Sequence, residues 1–401
     1  MILAMIVVPC SWRTKLKTRQ ILTTRGLAQS AAMNYSRRMP TMPSRRDILR
    51  LIGASAAAAF AHSLGATEER VRFPSGAVIR TVLKDLPPEA LAGGATLFHE
   101  HLSVGADFMP KVMAQFRILL GPDAMLPPLP PPEQQRLLRD LGVMTEEMRS
   151  AAAAGVACIV DAGHPDMGRN FQFLRQLSLK SGMPIVAGAG YYTQPFYPPE
   201  IARWDEDEIA QELLRQVKAE AIGAYGEIGT WDAMTPDERK VFRAVGKAHL
   251  ATNLPIFTHT NMGKGALEQL DVLESVGVKP ERVAIGHLGG IADPDARVQK
   301  TICKRGAFVG FDRQGGPQDA DNLPAVMALL EAGYAEKLLF SSDFSFASDL
   351  KHSGGAGYAM TVTVFGPKLR NAGVTQSTLQ GILVDNPRRF LAFIPRMRRG
   401  G

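Results

Sequence analysis

Gly94-Ala95-Thr96-Leu97-Phe98-His99-Glu100-His101-Leu102 is a β-type apolar run that ends in a His-x-His pair. Side chains at i and i+2 of a strand project to the same side, so the imidazoles of His99 and His101 can address one metal ion. Outward from this pair, single His or acid residues close four later apolar runs. Glu227 stands in Tyr225-Gly226-Glu227-Ile228-Gly229-Thr230, and His259 in Pro255-Ile256-Phe257-Thr258-His259-Thr260-Asn261. His287 stands in Ala284-Ile285-Gly286-His287-Leu288-Gly289-Gly290, and Asp343 ends Leu338-Leu339-Phe340-Ser341-Ser342-Asp343. Four histidines and two carboxylates at strand ends predict a metal centre, and such N/O ligands suit Zn²⁺, with Mn²⁺ or Co²⁺ as alternatives.

The spacing of the apolar runs gives the fold. Eight of them, rich in Val, Ile and Phe, fall at 96–102, 156–163, 184–192, 222–230, 255–261, 283–290, 307–315 and 337–345. Between them, segments such as 132–154, 205–221, 236–253, 264–276 and 322–335 carry apolar residues at helical spacing. Eight alternations of strand and helix predict an α/β protein of the (β/α)₈ TIM-barrel type, with its metal site at the C-terminal ends of the strands. The six ligand candidates fall on strands 1, 4, 5, 6 and 8. Strands 2, 3 and 7 leave Asp161-Ala162-Gly163-His164, Tyr191-Tyr192-Thr193 and Asp312-Arg313-Gln314 as substrate wall. An insertion at 103–133, ending in Pro127-Pro128-Leu129-Pro130-Pro131-Pro132, reads either as a lid or as a stiff surface connection. His249 and His352 read as structural or solvent-facing.

Charge separates the chain into two parts. Overall it carries 46 Lys/Arg and 39 Asp/Glu in 401 residues, a net of +7. Residues 1–66 hold ten of the bases and one acid, Asp47, so the remainder has 36 bases against 38 acids, a net of −2. A nucleic-acid enzyme that tracks phosphates needs a basic surface, so nucleic acid is not an expected partner of the main body. The basic leader instead reads as a targeting segment, and residues 67–401 as the barrel. Ser44-Arg45-Arg46-Asp47-Ile48-Leu49-Arg50 resembles the twin-arginine motif and precedes an apolar run at 51–61 that is too short for a stable membrane anchor. Ala59-Phe60-Ala61 fits a cleavage site, and Met42 is a conventional start for such a leader. The expectation is export by the twin-arginine machinery to a periplasmic or extracellular location. Cys10, Cys158 and Cys303 are expected as free thiols.

The pattern Gly94-x-Thr96-Leu97-x-His99-Glu100-His101, with His259, Gly286-His287-Leu288, Ser342-Asp343 and Asn386-Pro387-Arg388-Arg389-Phe390-Leu391, resembles the phosphotriesterase family of the amidohydrolase superfamily over about residues 74–395. The resemblance implies two divalent metal ions, with His99, His101 and Asp343 on one, His259 and His287 on the other, and the strand-4 residue bridging them. Many members bridge with a carboxylated lysine; this chain has Glu227, which places it in a Glu-bridged subgroup. A glutamate stem is shorter by three atoms, on the order of 3 to 4 Å when extended, so either the ions sit closer to strand 4 or one site is weakly held. After His287, Leu288-Gly289-Gly290 supplies no acid to carry a proton away.

The implied activity is hydrolysis of an ester, whether lactone, carboxylic ester or phosphoester, by hydroxide formed at the metals. Asp343 is the expected proton acceptor. Tyr191, Tyr192 and Arg313 are expected to orient the small-molecule substrate or stabilise developing negative charge. The alternatives are a deoxyribonuclease-like phosphodiesterase of the same superfamily, which the −2 charge argues against, and a non-catalytic metal- or ligand-binding barrel. Family members are often dimers, but nothing in this chain fixes an interface, so the oligomeric state stays open, with a homodimer as one outcome.

Overall fold

The computed structural model describes residues 71–121, 131–291, 293–316 and 318–396. The leader, its boundary at residue 66 and Pro127-Pro128-Leu129-Pro130 lie outside the described residues. The eight expected strands form at β1 (Ala95–Glu100), β2 (Val156–Asp161), β3 (Ile185–Ala189), β4 (Ile222–Gly229), β5 (Ile256–His259), β6 (Val283–Ile285), β7 (Phe308–Phe311) and β8 (Leu338–Phe340). Sequential neighbours pair in parallel from β1 round to β8. The strands are buried on both faces, as parallel strands under a helical layer must be. A small antiparallel hairpin, Ile79–Arg80 with Asp85–Leu86, precedes the barrel.

The last strand meets the first largely through one buried acid. Glu100 accepts from Ser341 Oγ at 2.7 Å, Ser342 N at 2.9 Å and Phe344 N at 2.8 Å. Asp343 N and His101 N complete the seam, donating to His99 O at 3.2 Å and to Phe344 O at 3.0 Å. Burial pushes the Glu100 carboxyl up to about 7 despite these donors. Beneath the seam, Phe98, Val160, Val186, Phe257 and Leu339 fill the barrel interior, and Ile79, Leu91 and Phe390 belong to the same apolar cluster. Asn386 of the Asn-Pro-Arg motif holds the start of β8, its Nδ2 donating to Ala335 O at 2.7 Å and Leu338 O at 2.8 Å.

Among the described residues eight helices have nine or more residues, two between β1 and β2 and one in each later gap up to β8: α1 (Phe108–Leu120), α2 (Leu141–Ala153), α3 (Phe171–Ser181), α4 (Glu206–Ala219), α5 (Pro236–Thr252), α6 (Ala266–Ser275), α7 (Arg297–Arg305) and α8 (Asp319–Glu331). In α4, Ile209, Ala210, Leu213 and Val217 are buried, a single stripe at i, i+1, i+4 and i+8. Asp205 and Glu208 close a capping box at its start, and Thr235 with Glu238 does the same for α5, each contributing about 1 kcal/mol. The helix expected over 132–154 is broken instead. A short turn, Pro132–Gln135, runs into a 3₁₀ turn, Arg136–Arg139, and Asp140 then starts α2 by accepting from Val143 N at 2.9 Å. An N-cap residue has extended backbone, so the helix cannot run through it. The helix expected over 322–335 begins earlier, at Asp319, and passes through Pro324. No helix among the described residues is long and apolar enough to cross a membrane.

His249, on α5, is buried, and its Nδ1–H donates to Leu254 O at 2.6 Å. Burial pushes its pKa down to about 4, so the folded state resists protonation there. A depressed folded pKa contributes stability that is present above the unfolded value of ~6.5 and is lost as pH falls from there toward 4. Global stability measured by denaturant unfolding is therefore expected to fall over that window by on the order of 2–3 kcal/mol. His249→Asn should remove this part of the slope; an unchanged slope would assign it elsewhere. His352, by contrast, is exposed, as expected.

Candidate metal centre

The strands bring the six expected ligands together at the C-terminal mouth. Glu227 is at the centre of the cluster. One of its carboxylate oxygens lies 2.9 Å from His259 Nδ1, 3.2 Å from His99 Nε2 and 3.4 Å from His287 Nε2, and the other lies 3.1 Å from His101 Nε2. Asp343 closes the opposite side, with Oδ1 3.1 Å from His101 Nε2 and 3.8 Å from His99 Nε2. Among the described residues, three overlapping groups have donor atoms within 4.8 Å of one another: His99, His101, Glu227 and Asp343; Glu227, His259 and His287; and His99, His287 and Asp312. The position of Glu227 depends on the glycine before it. Gly226 has φ +144, and a Cβ there would stand 2.4 Å from Phe257 O on β5.

Two of these residues, His287 at φ 56 and Asp343 at φ 52, adopt the left-handed backbone that non-glycine residues avoid. Such conformations cost roughly 1–2 kcal/mol each and persist where surrounding contacts enforce them. Here the contacts are explicit. His287 N donates to the Asp312 carboxylate at 2.9 and 3.1 Å, and Asp343 N donates to His99 O at 3.2 Å.

The donor set fits divalent cations. His99 Nε2 and His287 Nε2 are buried without a hydrogen-bond partner, facing the same carboxylates. Burial disfavours charge on His99 and His101, yet Glu227 with Asp312 holds His99 well above the usual imidazole range, and Asp343 with Glu227 pushes His101 up to about 10. The acids respond in the opposite sense. Burial alone would raise Glu227 and Asp343, but their histidine neighbours, and Arg313 beside Asp343, hold both well below the carboxylate range. The cluster thus favours positive charge among its carboxylates. His259 differs: burial and His287 push it down to about 4, which keeps it neutral.

Asp312 is the residue that the sequence reading placed in the substrate wall and the structure places behind the histidines. It is fully buried, 2.9 Å from His287 Nδ1 and 3.0 Å from His99 Nδ1. It hydrogen-bonds His287 and stands beside His99 on the Nδ1 side of each ring while both Nε2 atoms face Glu227, the arrangement by which outer carboxylates orient metal-binding imidazoles. A sequence signal was present: Asp312 directly follows the apolar strand β7. Asp161 is also structural, accepting from Leu102 N at 2.7 Å to join the ends of β1 and β2. His164 is buried, with Nδ1 3.1 Å from Asp166, whose other oxygen accepts from Tyr192 N at 2.9 Å.

The two tyrosines part company, as neighbours at a strand end do. Tyr192 OH lies 3.3 and 3.4 Å from the ring nitrogens of His259. Tyr191 instead meets Tyr197 edge-on, with ring centroids 6.2 Å apart. Arg313 Nε donates to Asp343 Oδ2 at 3.2 Å. Asn322 braces it, accepting from Gly290 N at 2.7 Å and donating to Arg313 O at 3.1 Å, which ties the loops after β6 and β7 together. The insertion after β1 forms α1, whose Phe108 lies 5.7 Å from the His101 ring and 6.0 Å from Tyr192. It roofs the mouth.

An eight-stranded barrel with a histidine–carboxylate cluster able to hold metal at its C-terminal mouth is the architecture of a metal-dependent (β/α)₈ hydrolase. Residues 79–391 match the family model of the Phosphotriesterase family, and the chain belongs to that family. It is 34% identical over 255 residues to the phosphotriesterase homology protein of Escherichia coli, covering 61% of this chain and 87% of that one. An N-acetyltaurine hydrolase of Tetraodon nigroviridis is 27% identical, covering 79% of this chain and 98% of that one. Among solved structures, a lactonase from Listeria monocytogenes superposes with a TM-score of 0.64 at 26% identity, covering 78% of this chain and 98% of that one.

Proposed function

We propose that the protein hydrolyses an ester, whether lactone, carboxylic ester or phosphoester, at a pair of divalent ions. In this reading His99, His101, Glu227 and Asp343 would hold one ion, and Glu227, His259 and His287 the other. The observation that carries it is the approach of one carboxylate, Glu227, to within 3.4 Å of a ring nitrogen on each of four histidines. Zn²⁺ suits this ligand set best, with Mn²⁺ and Co²⁺ as alternatives. Ions held there supply water acidified toward a pKa of ~7 and polarise the oxygen of the scissile group.

The chain's own residues supply the rest. Asp343 is ionised and has an oxygen at the mouth, so it accepts the proton of the attacking water. Arg313 donates to that carboxylate through Nε, and its guanidinium stabilises negative charge on the substrate oxygen. Burial and Glu227 hold the Tyr192 hydroxyl well above its ordinary pKa, so it stays a neutral donor beside His259. Export by the twin-arginine route, carried by Ser44-Arg45-Arg46 and the apolar run after it, belongs to the same proposal, as does a homodimer.

The test is elemental analysis of the purified protein alongside a hydrolysis screen of lactones, aryl esters, phosphotriesters and N-acetyl amides. Two equivalents of metal and turnover of one ester class are expected. Turnover of N-acetyl amides alone would move the bond from ester to amide, and protein that binds no metal would overturn the proposal.

A further inference from the structure

His164 and Asp166, in the loop after β2, are buried titratable residues that belong to neither proposed ligand set. His164 is fully buried and its Nε2 has no hydrogen-bond partner. That nitrogen faces Gly190, just beyond β3, where a Cβ would stand 3.5 Å from it. Asp166 uses both of its oxygens: Oδ1 lies 3.1 Å from His164 Nδ1, and Oδ2 accepts from Tyr192 N at 2.9 Å. The loop carrying the pair is firmly built. His164 O accepts from Met167 N at 3.0 Å and from Arg169 N at 3.1 Å, and Gly105 N donates to Met167 O at 2.8 Å, which ties this loop to the one after β1. Satisfied buried polar groups of this kind rigidify the segment they join.

The chain of contacts ends on Tyr192. Its carbonyl accepts from Gly229 N of β4 at 2.7 Å, so the Tyr192 backbone is clamped between the β2 loop and β4. The clamp sets the phenol against His259, an imidazole for which Asp312 makes no contact. His259 Nδ1 lies 2.9 Å from a Glu227 oxygen. To offer that nitrogen's lone pair to a metal, the neutral ring must carry its proton on Nε2. The Tyr192 oxygen lies 3.4 Å from Nε2 and 3.3 Å from Nδ1, so a small displacement of the tyrosine decides which of the two it serves.

We infer that Asp166, held by His164, is a positioning residue for one of the two ions. It places Tyr192 so that the phenol oxygen accepts from His259 Nε2–H and leaves Nδ1 for the metal. Tyr192 thereby supports His259 as Asp312 supports His99 and His287, and its own O–H remains free to donate. The inference rests on the two-ion reading. It adds a separate support for the ion on His259 and His287, one that does not touch the ion on His99, His101 and Asp343.

The test is an EDTA titration of the metal-loaded protein, with retained metal counted by elemental analysis. Asp166→Ala should release one of two equivalents at about tenfold lower EDTA and hold the other as the parent does. Tyr192→Phe removes only the oxygen and should release the same equivalent about as easily. The double variant should be no worse than the weaker single, because both changes break one chain of contacts. Asp166→Asn is the conservative rescue: its oxygen still accepts from Tyr192 N, and its NH₂ meets a His164 Nδ1 that becomes an acceptor once the proton moves to the unpartnered Nε2. It should retain both equivalents as the parent does. In a His259→Ala protein, expected to hold one equivalent, adding Asp166→Ala should change nothing further. Thermal melts confirm folding, and if Asp166→Ala melts early the comparison of Tyr192→Phe with Asp166→Asn carries the test. Simultaneous release of both equivalents, no change in either, additive effects of Asp166→Ala and Tyr192→Phe, or failure of Asp166→Asn to rescue would each overturn the positioning role. A parent that binds fewer than two equivalents would instead overturn the two-ion reading beneath it.

Discussion

Glu227→Gln is expected to reduce bound metal from two equivalents to at most one and to lower hydrolysis by more than 100-fold, with the fold intact. The substitution keeps the shape of the side chain and changes two properties. It removes a negative charge from the middle of four imidazoles, and it replaces one carboxylate oxygen with an NH₂ group that has no lone pair for a metal. One Glu227 oxygen approaches His259, His99 and His287, and the other approaches His101, so no orientation of the amide serves both sides. Outer residues that merely orient metal ligands typically cost 10–100-fold when changed, and a residue shared by both sites should exceed that. Elemental analysis reads the metal, initial rates read the activity, and a thermal melt confirms folding. A folded Glu227→Gln protein that kept two equivalents and its rate would remove Glu227 from the site.

Much of this arrangement is legible in sequence because its physics is local. A strand buried on both faces reads as an apolar run, and the residue that follows it lies at the barrel mouth whatever the rest of the chain does. That is why His99, His101, Glu227, His259, His287 and Asp343 can be located from their runs before any coordinates. What local pattern cannot give is direction. Asp312 and Asp343 both follow apolar strands, yet one reaches the mouth and the other turns behind two imidazoles. That choice depends on His99 and His287, which lie 213 and 25 residues away in the chain. Alternation alone says that Tyr191 and Tyr192 point apart, but which one faces His259 depends on contacts distant in sequence, among them the Asp166 carboxylate that accepts from the Tyr192 amide. The break at Asp140 is different. Its capping chemistry is local, but helical spacing of apolar residues continues on both sides of it and hides the cap.

Asp312→Asn carries the second large effect, and its value lies in touching both metal positions without belonging to either. The carboxylate hydrogen-bonds His287 Nδ1 at 2.9 Å and lies 3.0 Å from His99 Nδ1, so it is placed to favour the proton on Nδ1 of both rings and leave both Nε2 lone pairs for metal. An asparagine has one oxygen and one NH₂. The NH₂ faces a ring nitrogen that must then become an acceptor, and that tautomer puts its proton on Nε2, where the metal belongs. Since His99 and His287 serve different ions in the proposed site, both equivalents should weaken by about 10–100-fold. A chelator titration reads this as release of two equivalents at lower chelator concentration, whereas loss of a single equivalent would show that Asp312 supports only one site.

The metal-free protein offers an independent check through pH. Burial opposes ionisation of Asp312, but His287 and His99 hold its carboxyl well below the ordinary range. A depressed folded pKa contributes stability above the unfolded value of ~3.9 and loses it as pH falls through the folded one. The stability difference between the metal-free parent and Asp312→Asn should therefore be full at neutral pH and shrink only below about pH 4. A gap that instead closed between pH 7 and 5 would mean that the histidines, and not Asp312, carry the titration, and the orienting role would fall with it.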